Sequence, residues 1–143
     1  MEGALPVTES EIDEFIGGFQ NGTLPKEFWT HGAHVLTGAC YVYECGETEA
    51  IARMRRDVAA YNVAVGGKNT ESSGYHETIT IFWLKLLSAY RSRCPDLTRA
   101  EFAARAVAEF VHRRDILREY YDFDVTGSTE ARRSWICPKQ HIL

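Results

Sequence analysis

His31 and His34 lie three residues apart, directly after Thr30, a residue type typical of a helix N-cap. Three helical steps of about 100° each leave the two side chains on one side of a helix, and that side continues into an apolar face. A pair with this spacing can chelate a metal, as the Glu-x-x-His pairs of carboxylate-bridged bundles do. His76 lies equally early in a later predicted helix, where the helix dipole favours the neutral ring that a metal requires. The first chemistry that the sequence suggests is therefore metal coordination by imidazole.

In an up-down bundle the second and fourth helices run parallel and begin at the same end. His31, His34 and His76 are then predicted to form a three-histidine site with one position open for water or substrate, the ligand count of a catalytic zinc. Ligand softness leaves zinc, nickel and iron open as the divalent metal. The alternative for each histidine is a core or capping residue satisfied by hydrogen bonds. His112 and His141 are not expected to be ligands.

Several neighbours of the histidines are candidates for the same site. Glu77 is predicted to be the catalytic base beside metal-bound water, or a fourth ligand. The alternative is a first-turn carboxylate that stabilises the helix dipole. Polar hydrogen bonds and an apolar, water-poor wall would come from four further residues, which we predict to contact substrate: Asn62, Tyr75, Thr80 and Trp83. For these four the alternatives are an exposed polar residue, a bond to the helix backbone, or the core.

Caps and breakers indicate the elements that must position these residues. Capping boxes, glycines and prolines divide the chain into helix-length segments, predicted at 8–19, 30–45, 48–65 and 75–93, from Thr98 onward, and in short pieces at 116–121 and 129–135. Residues 35–43 have strand propensity, but length and flanking caps favour helix. We predict one all-α domain over residues 1–143, a compact antiparallel bundle of about five main helices plus short C-terminal helical pieces.

Composition limits the partners and the compartment. The net charge is −4 and no basic stripe is present, so nucleic acid is not an expected partner. The N-terminus does not resemble a secretory signal, and no apolar stretch approaches the roughly 20 residues that span a bilayer, so no membrane partner and a cytoplasmic location are expected. Reduced thiols are predicted for four cysteines whose spacings match no C-x-x-C motif: Cys40, Cys45, Cys94 and Cys137.

Two motifs resemble a family of small, uncharacterised bacterial helical proteins. Residues 22–34 read GTLPKEFWTHGAH and residues 74–80 read GYHETIT, similar to the family's W-T-H-x-x-H and G-Y-H-E-T-I-T motifs. Residues 120–135 look like its C-terminal portion, although Lys139 stands where an acidic residue is usual. The resemblance implies that the histidines belong to signature segments and implies no particular activity. A looser likeness to DinB-like metal-binding helical bundles is an analogy of fold.

Three hypotheses follow for the function. The leading one is a divalent-metal-dependent enzyme in which the three-histidine site activates water or a small polar substrate, as a hydrolase does. The alternative is a non-enzymatic helical module that binds a small molecule or a protein partner, its histidines being structural. The third is a structural or oligomerising bundle, which leaves a homo-oligomer open.

Overall fold

The computed structural model describes residues 5–140 and residue 142, so residues 1–4, His141 and Leu143 lie outside the description. The described chain is helical and contains no strand, which confirms the all-α prediction, the segment 35–43 included. Its α-helices are α1 Glu9–Asn21, α2 His31–Ala64, α3 Glu77–Ser92, α4 Arg99–Phe110, α5 Leu117–Tyr120 and α6 Thr129–Arg133, with 3-10 turns at Lys26–Phe28 and Arg114–Ile116.

The predicted N-caps hold the starts of the helices. Thr8 and Thr98 each accept a bond from the backbone of the glutamate three residues on, and that glutamate bonds back, so both capping boxes form. Thr30 accepts from the Ala33 amide at 3.2 Å and fixes the first residue of α2 as His31. The helix predicted from residue 48, with Thr48 as its N-cap, begins earlier, because helical structure resumes immediately after Gly46.

The chain reverses direction at Gly46. In a straight helix Tyr41 and Asp57 would lie about 24 Å apart, at a rise of about 1.5 Å per residue. Instead the Tyr41 hydroxyl donates to the Asp57 carboxylate at 2.6 Å. Gly46 has φ 80° and ψ 173°, a conformation that is essentially restricted to glycine. The α2 element is therefore two antiparallel halves, 31–45 and 47–64, and the predicted helix end at Gly46 is confirmed.

Helix α3 packs on α2 and carries the centre of the core. Leu84 and Leu87 are buried against α2, where an added Cβ on Gly38 would lie 2.9 Å from Leu87 Cδ1 and 3.3 Å from Leu84 Cδ2. The largest fully buried side chains come from several helices and include Tyr41, Tyr61, Phe82 and Phe102. Because α2 doubles back, the start of half 31–45, the end of half 47–64 and the start of α3 meet at one end of the bundle.

Two further findings bear on compartment and partners. All four cysteines are unpaired, which confirms the prediction of free thiols. Within the described residues, no helix combines the length and the apolar character that a bilayer crossing requires.

Candidate functional site

A cavity of about 750 Å³ opens at the end of the bundle where the three helical segments meet. Its wall comes from both halves of α2, from the loop and first turns of α3, and from the segment that follows α4. Seven of the eight predicted site residues line it: His31, His34, Asn62, Tyr75, His76, Thr80 and Trp83. The structure therefore brings together residues that lie as far as 52 positions apart in the chain (83 − 31).

His31 is held by a long-range hydrogen bond. Its Nε2 lies 3.1 Å from the Phe110 carbonyl oxygen, and because a carbonyl can only accept, Nε2 carries the proton. The ring also meets Trp83 edge-on, with centroids 5.1 Å apart. Burial lowers the pKa of His31, and the positive charge of Arg114 lowers it further. The ring is therefore neutral at pH near 7, and its Nδ1 presents a lone pair.

His34 is fixed by the backbone of its own helix. Its Nδ1 donates to the Thr30 carbonyl oxygen at 2.7 Å, so the lone pair of the neutral ring lies on Nε2. The ring packs on Trp29 with a centroid separation of 4.1 Å. The His34 side chain is exposed where it lines the cavity, and desolvation by the protein atoms around it lowers its pKa to about 4.

His76 has both ring nitrogens engaged. It is the N-cap of α3, so the predicted start of that helix at residue 75 was wrong by two residues. Nδ1 accepts from the Ile79 amide at 3.2 Å, and Nε2 donates to the Val125 carbonyl oxygen at 3.0 Å. The side chain is buried, and burial lowers its pKa. Coordination of a metal by His76 requires one of these two bonds to break.

Within the described residues, no three His, Cys, Asp or Glu side chains converge as metal ligands would. The lone pairs of His31 Nδ1 and His34 Nε2 are the histidine donors that this arrangement leaves for a metal. The three-histidine metal site stays a prediction.

Glu77 is the predicted site residue that does not line the cavity. Arg55 clamps its carboxylate with bonds of 3.1 and 2.7 Å, and the Tyr75 hydroxyl donates to it at 2.7 Å. Burial raises the pKa of Glu77, but the bonds from Arg55 and Tyr75 outweigh that effect and leave the pKa below its usual value. In this arrangement Glu77 is an ionised residue that ties the second half of α2 to the start of α3.

The loop between α2 and α3 is organised by an asparagine that sequence analysis did not single out. The Asn69 side-chain oxygen accepts from Asn62 Nδ2 at 3.0 Å and from the Tyr75 amide at 2.9 Å, and its amide donates to the Ala59 carbonyl at 2.9 Å. Gly74 follows with φ 83°, and an added Cβ would lie 2.3 Å from the Lys68 carbonyl. Asn62 thus positions the loop that forms one wall of the cavity.

The other lining residues were not predicted to belong to the site, and three of them are polar or aromatic side chains of interest: Trp29, Arg114 and Thr126. Trp29 stacks on Phe19 with centroids 4.1 Å apart, and its Nε1 is buried with no hydrogen-bond partner among the described residues. The position of Trp29 next to Thr30 and His31 was an available signal. Arg114 and Thr126 are remote in sequence from the predicted site residues, so no local pattern pointed to them.

Comparison with known proteins adds no relative, since no family model, curated protein or solved structure matches this chain. The resemblance carried by the motifs at 22–34 and 74–80 stays a prediction.

Proposed function

We propose that this chain binds a small organic molecule in the cavity between the two halves of α2 and the start of α3. The observation that carries the proposal is the cavity itself, about 750 Å³ in volume and lined by side chains from four separate parts of the chain. Its volume lies in the range of roughly 300–1,000 Å³ that is typical of ligand sites. Packed protein interiors otherwise contain few voids larger than a water molecule.

The lining supports a ligand with an apolar part. Gly38, Met54, Val58, Leu84 and Leu87 form the apolar part of the cavity wall, between α2 and α3. These side chains remove apolar ligand surface from water, which stabilises a complex by roughly 25 cal/mol per Å² before the entropic cost of association. Aromatic rings from two tryptophans add to this wall.

The polar end of the cavity offers hydrogen-bond acceptors to a ligand. His31 Nδ1 and His34 Nε2 carry lone pairs, and both rings are neutral because their pKa values are lowered. A ligand hydroxyl or amine can donate a hydrogen bond to them. Binding is therefore the function that the geometry supports directly.

A metal-dependent enzyme is the second candidate. The observation in its favour is that two neutral imidazoles, one turn apart on α2, line the same cavity and keep one lone pair each. With zinc, nickel or iron(II) bound there, open coordination positions would supply activated water. In this proposal His76 either holds α3, as it does here, or exchanges its bond with Ile79 for a third metal bond.

Fluorescence titration with N-phenyl-1-naphthylamine tests the binding proposal, because this neutral aromatic probe brightens in an apolar site. We expect saturable binding to the wild-type chain and loss of binding in Thr80→Phe, which places a ring in the cavity. Ser92→Phe is the matched control, since it adds the same ring on the same helix at an exposed position. Equal binding by Thr80→Phe and wild type, with both folded by circular dichroism, would overturn the proposal.

Isothermal titration with Zn²⁺, Ni²⁺ and Fe²⁺ tests the second candidate. If a three-histidine site forms, His31→Ala, His34→Ala and His76→Ala each weaken binding sharply. If only the two free lone pairs coordinate, His76→Ala weakens binding little while the other two abolish it. Absence of binding by the chelator-treated wild type, with no metal found by elemental analysis of the purified protein, removes the metal-dependent enzyme.

The cytoplasm is the compartment we propose. Four unpaired thiols support it, since cysteines of an oxidising compartment are more often joined in disulfides.

A further inference from the structure

We infer that the molecule bound in the cavity carries an oxyanion, a carboxylate or a phosphate, that pairs with Arg114. This inference rests on the proposed function, because it assigns the charge of the ligand of that same cavity. Two observations support the inference: the charge on the cavity wall, and the separation of the wall into a polar part and an apolar part.

The charge on the cavity wall is positive. Among the described lining residues none is an aspartate or a glutamate. The three lining histidines have lowered pKa values and are neutral at pH near 7. Arg114 therefore carries the only full charge among the described lining residues, and its field is one reason for the lowered pKa values of His31 and His34.

The guanidinium of Arg114 makes no hydrogen bond or ion pair with the described residues, and it is the one arginine that lines the cavity. Arg55 is clamped on Glu77, and Arg99 contacts three carboxylates. An unpaired guanidinium at a cavity mouth presents a planar fork of donors that matches a carboxylate or a phosphate.

Carboxylates that line an adjacent depression are the alternative partners of Arg114. Arg114 also lines this second depression, together with Arg118 and three aspartates (Asp115, Asp122 and Asp124). None of these carboxylates lies within 4.0 Å of the Arg114 guanidinium in the described structure. Ion pairs elsewhere in the chain, such as Arg55 with Glu77 and Lys139 with Asp122, are closer than that. The arginine is thus placed between the two depressions and is available to a ligand in the first.

The wall of the cavity changes character along the helices. Arg114, Thr126 and His31 belong to the polar end, whereas Gly38 lies seven residues after His31, about 10 Å further along α2 at the helical rise. Met54, Leu84 and Leu87 line this part of the wall. A ligand that satisfies both ends has an anionic head and an apolar body of several carbon atoms.

Calorimetric titration with three eight-carbon probes tests the inference: octanoate, octyl phosphate and neutral 1-octanol. They share the apolar body and differ in the head group, so the comparison isolates the charge. We expect octanoate or octyl phosphate to bind at least about tenfold more tightly than 1-octanol, which is the scale of one charge-assisted hydrogen-bond pair. The tighter of the two anions identifies the head group as carboxylate or phosphate.

Arg114→Gln should remove that preference, while Arg114→Lys keeps part of it. Arg118→Gln is the matched control, because Arg118 lines only the adjacent depression and its loss should not alter the preference. Equal affinity for all three probes, or a preference that survives in Arg114→Gln, overturns the oxyanion inference and leaves the binding proposal standing. If no probe binds and N-phenyl-1-naphthylamine also fails to bind, the binding proposal itself falls.

Discussion

Replacement of His76 by alanine is expected to destabilise the fold, because this side chain makes two hydrogen bonds from a buried position. Loss of the cap on the Ile79 amide costs about 1 kcal/mol, the usual value for an N-cap replaced by alanine. Loss of the bond to the Val125 carbonyl costs about 1 kcal/mol more, since that oxygen keeps a bond from the Ser128 amide. The free energy of unfolding should therefore fall by about 2 kcal/mol, before any loss of packing.

Two further variants separate the two bonds. In His76→Asn the side-chain oxygen takes the place of Nδ1 and keeps the cap on Ile79, whereas in His76→Gln the amide nitrogen takes the place of Nε2 and keeps the bond to Val125. Each should lose about half of what alanine loses, about 1 kcal/mol. A metal ligand would behave differently, because its loss would be reproduced in the wild-type chain by a chelator.

Urea denaturation followed by circular dichroism, at about pH 7.5 where the ring is neutral, measures these differences. With a slope of about 2 kcal/mol per molar urea, the midpoint of His76→Ala should lie about 1 M below that of the wild type. His112→Ala is the control, since His112 is exposed and its loss should change stability by less than about 0.5 kcal/mol. The reasoning is refuted if His76→Ala is as stable as this control, or if the asparagine and glutamine variants are no better than alanine.

Gly46→Ala should lower the free energy of unfolding by about 1–3 kcal/mol, because other residues rarely adopt the backbone conformation of Gly46. The control is Gly17→Ala within α1, which should be neutral or stabilising. Thermal melts compare the two variants, and equal melting temperatures would contradict the reversal at Gly46. Tyr41→Phe should lower the free energy of unfolding in urea by about 1–3 kcal/mol, since it removes a hydrogen bond to the buried Asp57 carboxylate. A change below about 0.5 kcal/mol would show that this bond contributes little. Stability should fall as the pH drops below about 6.5, because the histidine pKa values are lower in the folded chain and the unfolded chain binds more protons. That slope should be reduced in His34→Gln, and an unchanged slope would mean that His34 titrates normally.

Local features of the fold could be predicted from the sequence because their causes are local. The capping boxes at Thr8 and Thr98 each need only a glutamate three residues on, and the reversal at Gly46 needs only a glycine between two amphipathic segments. The common location of His31 and His76 followed from that reversal, since it makes their helical segments parallel.

The roles of individual site residues depend on distant partners, and sequence alone did not supply them. The bond from His76 goes to a carbonyl 49 residues away, and Glu77 meets an arginine 22 residues away. Whether a ring nitrogen is free or already bonded decides its chemistry, and that depends on the backbone of another segment. Arg114 was missed for the same reason, because its placement depends on the turn that follows α4.

The long-range hydrogen bonds of His31 and His76 have a consequence for the order in which parts of the chain fold. The hairpin of α2 closes over a short stretch of chain, which is entropically inexpensive, whereas the bonds to Phe110 and Val125 join residues 79 and 49 positions apart. Arg114, Leu117 and Thr126 supply the last part of the cavity wall. A chain that lacks the segment up to residue 126 therefore lacks part of the cavity wall, so ligand capture has to wait until that segment has folded onto the rest of the bundle.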